Sequence, residues 1–282
     1  MERATLNGVE VEYALQGSGE PLLLIPTGPI ADGFMPFLSD RALAARYRLI
    51  SYHQRGQVGS TRSPAPVSFA EHAADAAALL DYLGVRGAHV AGHSSGGDIA
   101  LQLAFDRPDL VHTLVLLEPA LTHVPSAAAF FEQAGPALAA YGSGDREAAM
   151  ALFLSMVSGL DWETCRTVIE QRVPGGVAQA MKDADSFFGG YLPALGAWQF
   201  GRHEAARISQ PVLSVLGTQT ERLFMEGHDL LHAWFPQLED LIVEGVGHLL
   251  HLQRPQPVAQ GVAAFLDRNP IGARARLLDA IT

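Results

Sequence analysis

Ala88-His89-Val90-Ala91-Gly92-His93-Ser94-Ser95-Gly96-Gly97 holds a short apolar run, a Gly-x-Ser-x-Gly pentapeptide and the start of a helical stretch. This is the pattern of a nucleophile elbow, in which a serine is lifted on a strained turn between a strand and a helix. The backbone crowds itself at such a turn, and Gly92, Gly96 and Gly97 leave it room. Ser94 is the candidate nucleophile. In a chain with 28 glycines the pentapeptide alone is weak evidence, so its weight rests on context. A strand before it, a helix after it and a histidine far downstream are all present.

On the N-terminal side, Asn7-Gly8 between two alternating runs predicts a hairpin, because both residues tolerate the positive φ of a tight turn. Leu22-Leu23-Leu24-Ile25 is a continuous apolar run, the mark of a strand buried on both faces, and Pro26-Thr27-Gly28-Pro29 ends it. A helix around Phe34 to Tyr47 leads to a second buried strand, Arg48 to Tyr52, and to the loop His53 to Ser60. Ser68-Phe69-Ala70-Glu71 is a capping box that opens a helix running to Leu83.

On the C-terminal side the helix after Ser94 runs to about Phe105, and Val111 to Leu117 forms a strand that stops at Glu118-Pro119. Residues 121–205 break the rhythm: Ala-rich and aromatic helical segments, with no strand pattern, read as an inserted helical lid. The sheet resumes at Val212 to Leu216. A helix follows through Trp234, then a strand at Leu241 to Val243, the loop Gly245-Val246-Gly247-His248 and a closing helix from Val258 to Leu266. The tail from Asn269 to Thr282 has helical character around Ala273 to Leu278. The alternation predicts an α/β fold, a mostly parallel sheet with helices on both faces. Its core comprises residues 1–120 and 206–282, with 121–205 as the cap.

At 282 residues and 48% hydrophobic content the chain can bury one large core. A net charge of -11 with no dense Lys or Arg cluster argues against nucleic acid and anionic membrane as partners. Cys165 is the only cysteine, and residues 1–20 show no signal-peptide pattern, so the expected compartment is the cytoplasm. The composition leaves a homodimer open.

A serine hydroxyl needs a neighbouring base, usually a histidine oriented by a carboxylate, in the chain order serine, acid, histidine. His248 fits the base: it follows a strand, sits in a glycine-flanked loop and lies 154 residues beyond Ser94. Glu118, at the end of the strand after the elbow helix, is a candidate acid. A carboxylate beside Val115-Leu116-Leu117 is costly to bury unless a histidine becoming imidazolium pairs with it. Glu221 is the alternative acid, although a helix-start glutamate is also explained by the helix dipole.

With these motifs the chain resembles the α/β-hydrolase family, whose acid usually follows the strand matching Val212 to Leu216. Here Gly217-Thr218-Gln219-Thr220-Glu221 carries no Asp at that place. Within the family, three motifs resemble the zearalenone lactone hydrolases. These are Pro26-Thr27-Gly28, similar to their Pro-Asp-Gly oxyanion loop, Gly92-His93-Ser94-Ser95-Gly96, similar to their Gly-Cys-Ser-Ser-Gly elbow, and Glu118-Pro119, which falls where they carry a glutamate acid. The resemblance implies a Ser-His-Glu triad and an oxyanion hole of the Gly28 and Ser95 N–H groups, worth roughly 3 kcal/mol each. Thr27 and His93 depart from those motifs.

Aromatic residues of the cap, Trp198, Phe188 and Tyr191 foremost, are the expected wall of an apolar substrate pocket. His228-Asp229-Leu230-Leu231-His232 places two histidines one helical turn apart, but the second residue is Asp and no third ligand is evident, so no metal is expected. No nucleotide-binding glycine loop occurs, and no cofactor is expected. The combined reading is a cofactor-independent serine hydrolase for a small apolar ester or lactone. The alternatives are a ligand-binding protein on a hydrolase scaffold, or a carbon-carbon bond hydrolase or perhydrolase with the same triad.

Overall fold

The turn at Asn7-Gly8, with φ of 48° and 81°, joins strands β1 (Glu2–Leu6) and β2 (Val9–Gln16) into the predicted hairpin. The computed structural model describes residues 1–63 and 65–272, so the helical character expected at Ala273 to Leu278 lies outside the described residues. Beyond the hairpin come β3 (Glu20–Ile25), β4 (Tyr47–Tyr52), β5 (Ala88–His93), β6 (Val111–Leu117), β7 (Val212–Gly217) and β8 (Glu239–Val243). They form one sheet in the order β1-β2-β4-β3-β5-β6-β7-β8. β2 pairs antiparallel with β1 and β4, and the strands from β4 onward run parallel.

The apolar runs are buried on both faces because successive side chains leave a strand on opposite sides. Leu23, Ile25, Val90, Leu114 and Leu116 enter one core with the helices Phe69–Tyr82 and Ser95–Asp106. Leu22, Leu24, Ala91, Val115 and Leu117 enter a second core on the other face, with the helix Pro255–Arg268. Between β6 and β7 the chain is helical, from Ala127–Gln133 to Arg202–Ala205, with no strand among the described residues.

One expected element differs. The helix foreseen over Phe34 to Tyr47 is two short helices, Met35–Leu38 and Arg41–Ala44. Asp40 divides them: its carboxylate accepts the N–H groups of Ala42 and Leu43 at 2.9 Å, which starts a new helix there.

Candidate active site

β5 ends at His93, and Ser94 adopts φ 53° and ψ -130° before the helix Ser95–Asp106 begins. A non-glycine residue there is strained, and close packing maintains the turn. A Cβ on Gly92 would lie 2.2 Å from the Gly96 carbonyl oxygen, and one on Gly96 would lie 2.2 Å from that of Ile25. These glycines let the elbow sit directly on β3 and on its own helix.

Glu118, the residue after β6, is also in the left-handed region, with φ 44°. This turn points its buried carboxylate at the ends of β7 and β8. Its Oε1 accepts the Gly217 N–H at 2.8 Å, while Oε2 accepts the Thr220 hydroxyl at 2.7 Å and lies 2.8 Å from His248 Nδ1. A carboxylate on Nδ1 makes it the protonated nitrogen and leaves the lone pair on Nε2. The imidazole is held from two further directions. Phe224 stacks on the ring with centroids 3.7 Å apart, and His93 Nε2 donates to the His248 carbonyl oxygen at 2.9 Å.

Burial pushes the Glu118 carboxyl up to about 7, against the pull of Gly217 and Thr220, which bond to its charged form. Burial pushes His248 the other way, down to about 3. The carboxylate 2.8 Å from Nδ1 opposes that fall, and the direction that stands is a neutral imidazole at pH 7. A neutral ring is the form that accepts a proton.

Ser94 and His248 line one cavity, together with Thr27, Ser95, Phe187 and Tyr191. The cavity wall is otherwise mainly apolar, and its space holds roughly two or three water molecules. The Gly28 N–H points to Ser95 Oγ at 3.3 Å, and a Cβ on Gly28 would meet the rings of Tyr191 at 2.7 Å and Phe187 at 2.9 Å. Ser95 is the first residue of its helix, where an N–H has no intrahelical acceptor. Gln54 and Gln57, read from the sequence only as loop, hold the loop of Gly28 from behind. Gln54 Nε2 donates to the Pro26 carbonyl at 2.7 Å, and Gln57 Nε2 to that of Gly28 at 2.8 Å.

Three expected residues stand elsewhere, and one expectation about metal ligands needs correction. Glu221 is an exposed cap of the helix Arg222–Trp234, its carboxylate beside Gly159, while Glu118 occupies His248 Nδ1. Phe188 turns from the cavity to stack on Tyr141 at 5.1 Å, and its neighbour Phe187 takes the wall position. Trp198 stacks on Phe200 at 5.0 Å and donates its indole N–H to Gln102 at 2.8 Å, away from the cavity wall. The chain leaves the helix Leu192–Ala197 at Trp198 in an extended conformation, which swings the ring aside. A third side chain of a metal-ligating type, not evident in the sequence, stands near His228 and His232 in space: Asp240 of β8 lies beside both. Thr220 is the residue missed beside Glu118, to whose carboxylate its hydroxyl donates; its place in the missing-Asp position was the available signal.

A family model described as alpha/beta hydrolase fold matches residues 20–255. Among curated relatives, a putative carbamate hydrolase RutD of Azorhizobium caulinodans is 39% identical over 109 residues, 38% of this chain and 40% of that protein. The chain thus matches well under half the length of that relative. A putative carbamate hydrolase RutD of Pseudomonas syringae pv. syringae is 27% identical over 264 residues, covering 92% of this chain and 98% of that protein. Among solved structures, the enol-lactonase from Burkholderia xenovorans LB400 superposes with a TM-score of 0.78 at 20% identity, over 94% of this chain and 100% of that one. The strand order, the strained elbow and the match over residues 20–255 agree: the chain belongs to the α/β-hydrolase family.

Proposed function

We propose that this hydrolase uses Ser94, His248 and Glu118 as a serine-histidine-glutamate triad on an apolar ester or lactone, with no cofactor. The observation that carries the proposal is the buried Glu118–His248 pair, 2.8 Å apart, opening onto the same cavity as the strained Ser94. His248 Nε2 takes the Ser94 hydroxyl proton as Oγ attacks the substrate carbonyl. The Gly28 and Ser95 N–H groups receive the oxyanion, and the carbonyl oxygen displaces Ser95 Oγ from its long contact with Gly28. His248 returns the proton to the leaving alcohol oxygen, which for a lactone stays tethered to the acyl group. Water, deprotonated by the same imidazole, releases the acid and restores Ser94. Glu118 remains ionised in this cycle and stabilises the imidazolium.

The RutD relatives make a carbamate the second reading, since it presents the same carbonyl to the same machinery. The apolar wall of Phe187, Phe130, Phe153 and Leu195 favours a hydrocarbon-rich acyl group. A macrolactone such as zearalenone rests on the three short motifs alone, and the tight cavity requires the wall aromatics to swing aside for so large a ring. The test is turnover of aryl esters, small lactones, an aryl carbamate and zearalenone by the native protein and by Ser94→Ala. Ester or lactone turnover that falls at least a thousandfold in Ser94→Ala is expected. Full activity in Ser94→Ala would overturn the mechanism, carbamate preference would overturn the substrate class, and failure of a fluorophosphonate to label Ser94 would favour a binding protein.

A further inference from the structure

The helix Arg222–Trp234 carries His228 and His232 one turn apart, so both rings leave the same face. Beneath it, the register of the β7–β8 pair sets Ser214 directly beside Asp240. The two side chains share one face of the sheet, the face this helix covers. Asp240 Oδ1 lies 3.5 Å from His228 Nε2, and Oδ2 lies 3.1 Å from His232 Nε2. One ligand atom from each of the three residues falls within 4.8 Å of the others.

We propose that His228 Nε2, His232 Nε2 and the Asp240 carboxylate bind a divalent transition-metal ion of the zinc class, with water completing a four-coordinate shell. Ligand atoms about 2.0–2.1 Å from a tetrahedral ion stand roughly 3.3–3.4 Å apart. From the single oxygen Oδ1, His228 Nε2 at 3.5 Å and His232 Nε2 at 3.2 Å bracket that value, and with all three ligand atoms within 4.8 Å of one another an ion fits once they draw together. The supporting contact is also in place. Ser214 Oγ lies 2.9 Å from His228 Nδ1, and a hydrogen bond there fixes the tautomer that leaves the Nε2 lone pair facing the ion. His228 is partly buried while His232 and Asp240 reach the surface, so the ion enters from solvent. Two nitrogens and one carboxylate oxygen suit zinc and its neighbours rather than calcium or magnesium.

The ion would tie the helix to β8. The same helix carries Phe224, the residue stacked on His248, so the bound ion braces the element that backs the candidate base. This role is structural and does not depend on the reaction proposed above.

The experiment uses untagged full-length protein, stripped with EDTA and titrated with Co²⁺ and then Zn²⁺. About one equivalent bound at micromolar or better affinity is expected, with the visible bands of four-coordinate cobalt and a melting temperature that rises until one equivalent is added. His232→Gln and Asp240→Asn should each weaken binding at least tenfold, while leaving the EDTA-treated melting temperature close to that of the native protein. No saturable binding by the native protein, or affinity that survives both substitutions, would show that these groups form a hydrogen-bonded ion pair only.

Discussion

The proposed triad asks two opposed things of Glu118: to remain ionised in a buried site and to orient His248. The Gly217 N–H and the Thr220 hydroxyl make that feasible, since hydrogen bonds to a charged group are each worth about 1.5–3 kcal/mol. Glu118→Gln retains the shape but loses the charge and the correct tautomer, and kcat on a good ester should fall by roughly 10³–10⁴. Thr220→Val removes only one bond, so kcat should fall roughly tenfold with KM nearly constant. Glu221→Gln should be almost silent. Steady-state kinetics of the three variants against circular dichroism checks the order, and a larger loss in Glu221→Gln than in Glu118→Gln would overturn the assignment. At this scale the sequence marks Ser94 and His248 as candidates, and Glu118 beside the alternative Glu221, because strand ends and glycine loops show in one dimension; the contact of Glu118 with His248 is what the fold adds. Thr220 was not, because its partner lies 102 residues away and meets it only through the pairing of β6 with β7.

The helical segment between β6 and β7 was legible as helical and illegible in its facing. Phe187 and Phe188 are neighbours with opposite fates, decided by the π-helical turn Phe187–Tyr191, whose wider winding no sequence period announces. Phe187 and Tyr191 pack on Gly28 and close the cavity, while Phe188 joins Phe153 and Tyr141 in the core. Phe187→Ala should therefore enlarge the cavity and raise kcat/KM for bulky acyl groups relative to short ones, by roughly tenfold on the scale of a few methylene contacts. Trp198→Phe should leave that ratio unchanged. It should instead cost about 1–3 kcal/mol of stability, since the Gln102 carbonyl loses its indole donor in a buried place. Acyl-chain profiles and urea melts of the two variants separate these effects, and a changed profile in Trp198→Phe would return that residue to the pocket. The histidine pair on the Arg222–Trp234 helix follows the same rule: its spacing was visible, but its partner Asp240 depends on the β7–β8 register.

Across the whole molecule the buried histidines make stability depend on pH. Burial holds His72 down to about 4 and His248 down to about 3, and it pushes His93 and His251 well below the usual 6.5, helped by their histidine neighbours. In the folded state these four rings stay neutral as the pH drops below 6.5, whereas in the unfolded chain they take up protons. Acidification therefore favours unfolding. Two buried carboxyls act in the opposite sense. Burial raises Asp98 well above its ordinary value and Glu118 to about 7, so the folded state holds those protons and the unfolded chain releases them until the pH nears 4. His89 and His228 are lowered by burial as well, so the lowered rings outnumber the raised carboxyls, unfolding takes up protons as the pH falls from 6.5 to 4.5, and stability is lost over that range. His53 acts the other way and only above 6.5. Burial lowers it, but Asp32 and Glu12 on its two ring nitrogens raise it further, so the stability it adds is lost as the pH rises through its folded value. The melting temperature should hence fall steadily from pH 6.5 to 4.5. His251 offers the cleanest control, since among the described residues its ring makes no side-chain hydrogen bond and packs between Phe34 and His93. His251→Leu removes one of the lowered rings, so it should lessen the slope and leave the protein more stable than the native chain at pH 5. A melting temperature that stays flat from pH 6.5 to 4.5, or a slope indifferent to His251→Leu, would mean that these rings are protonated inside the folded protein.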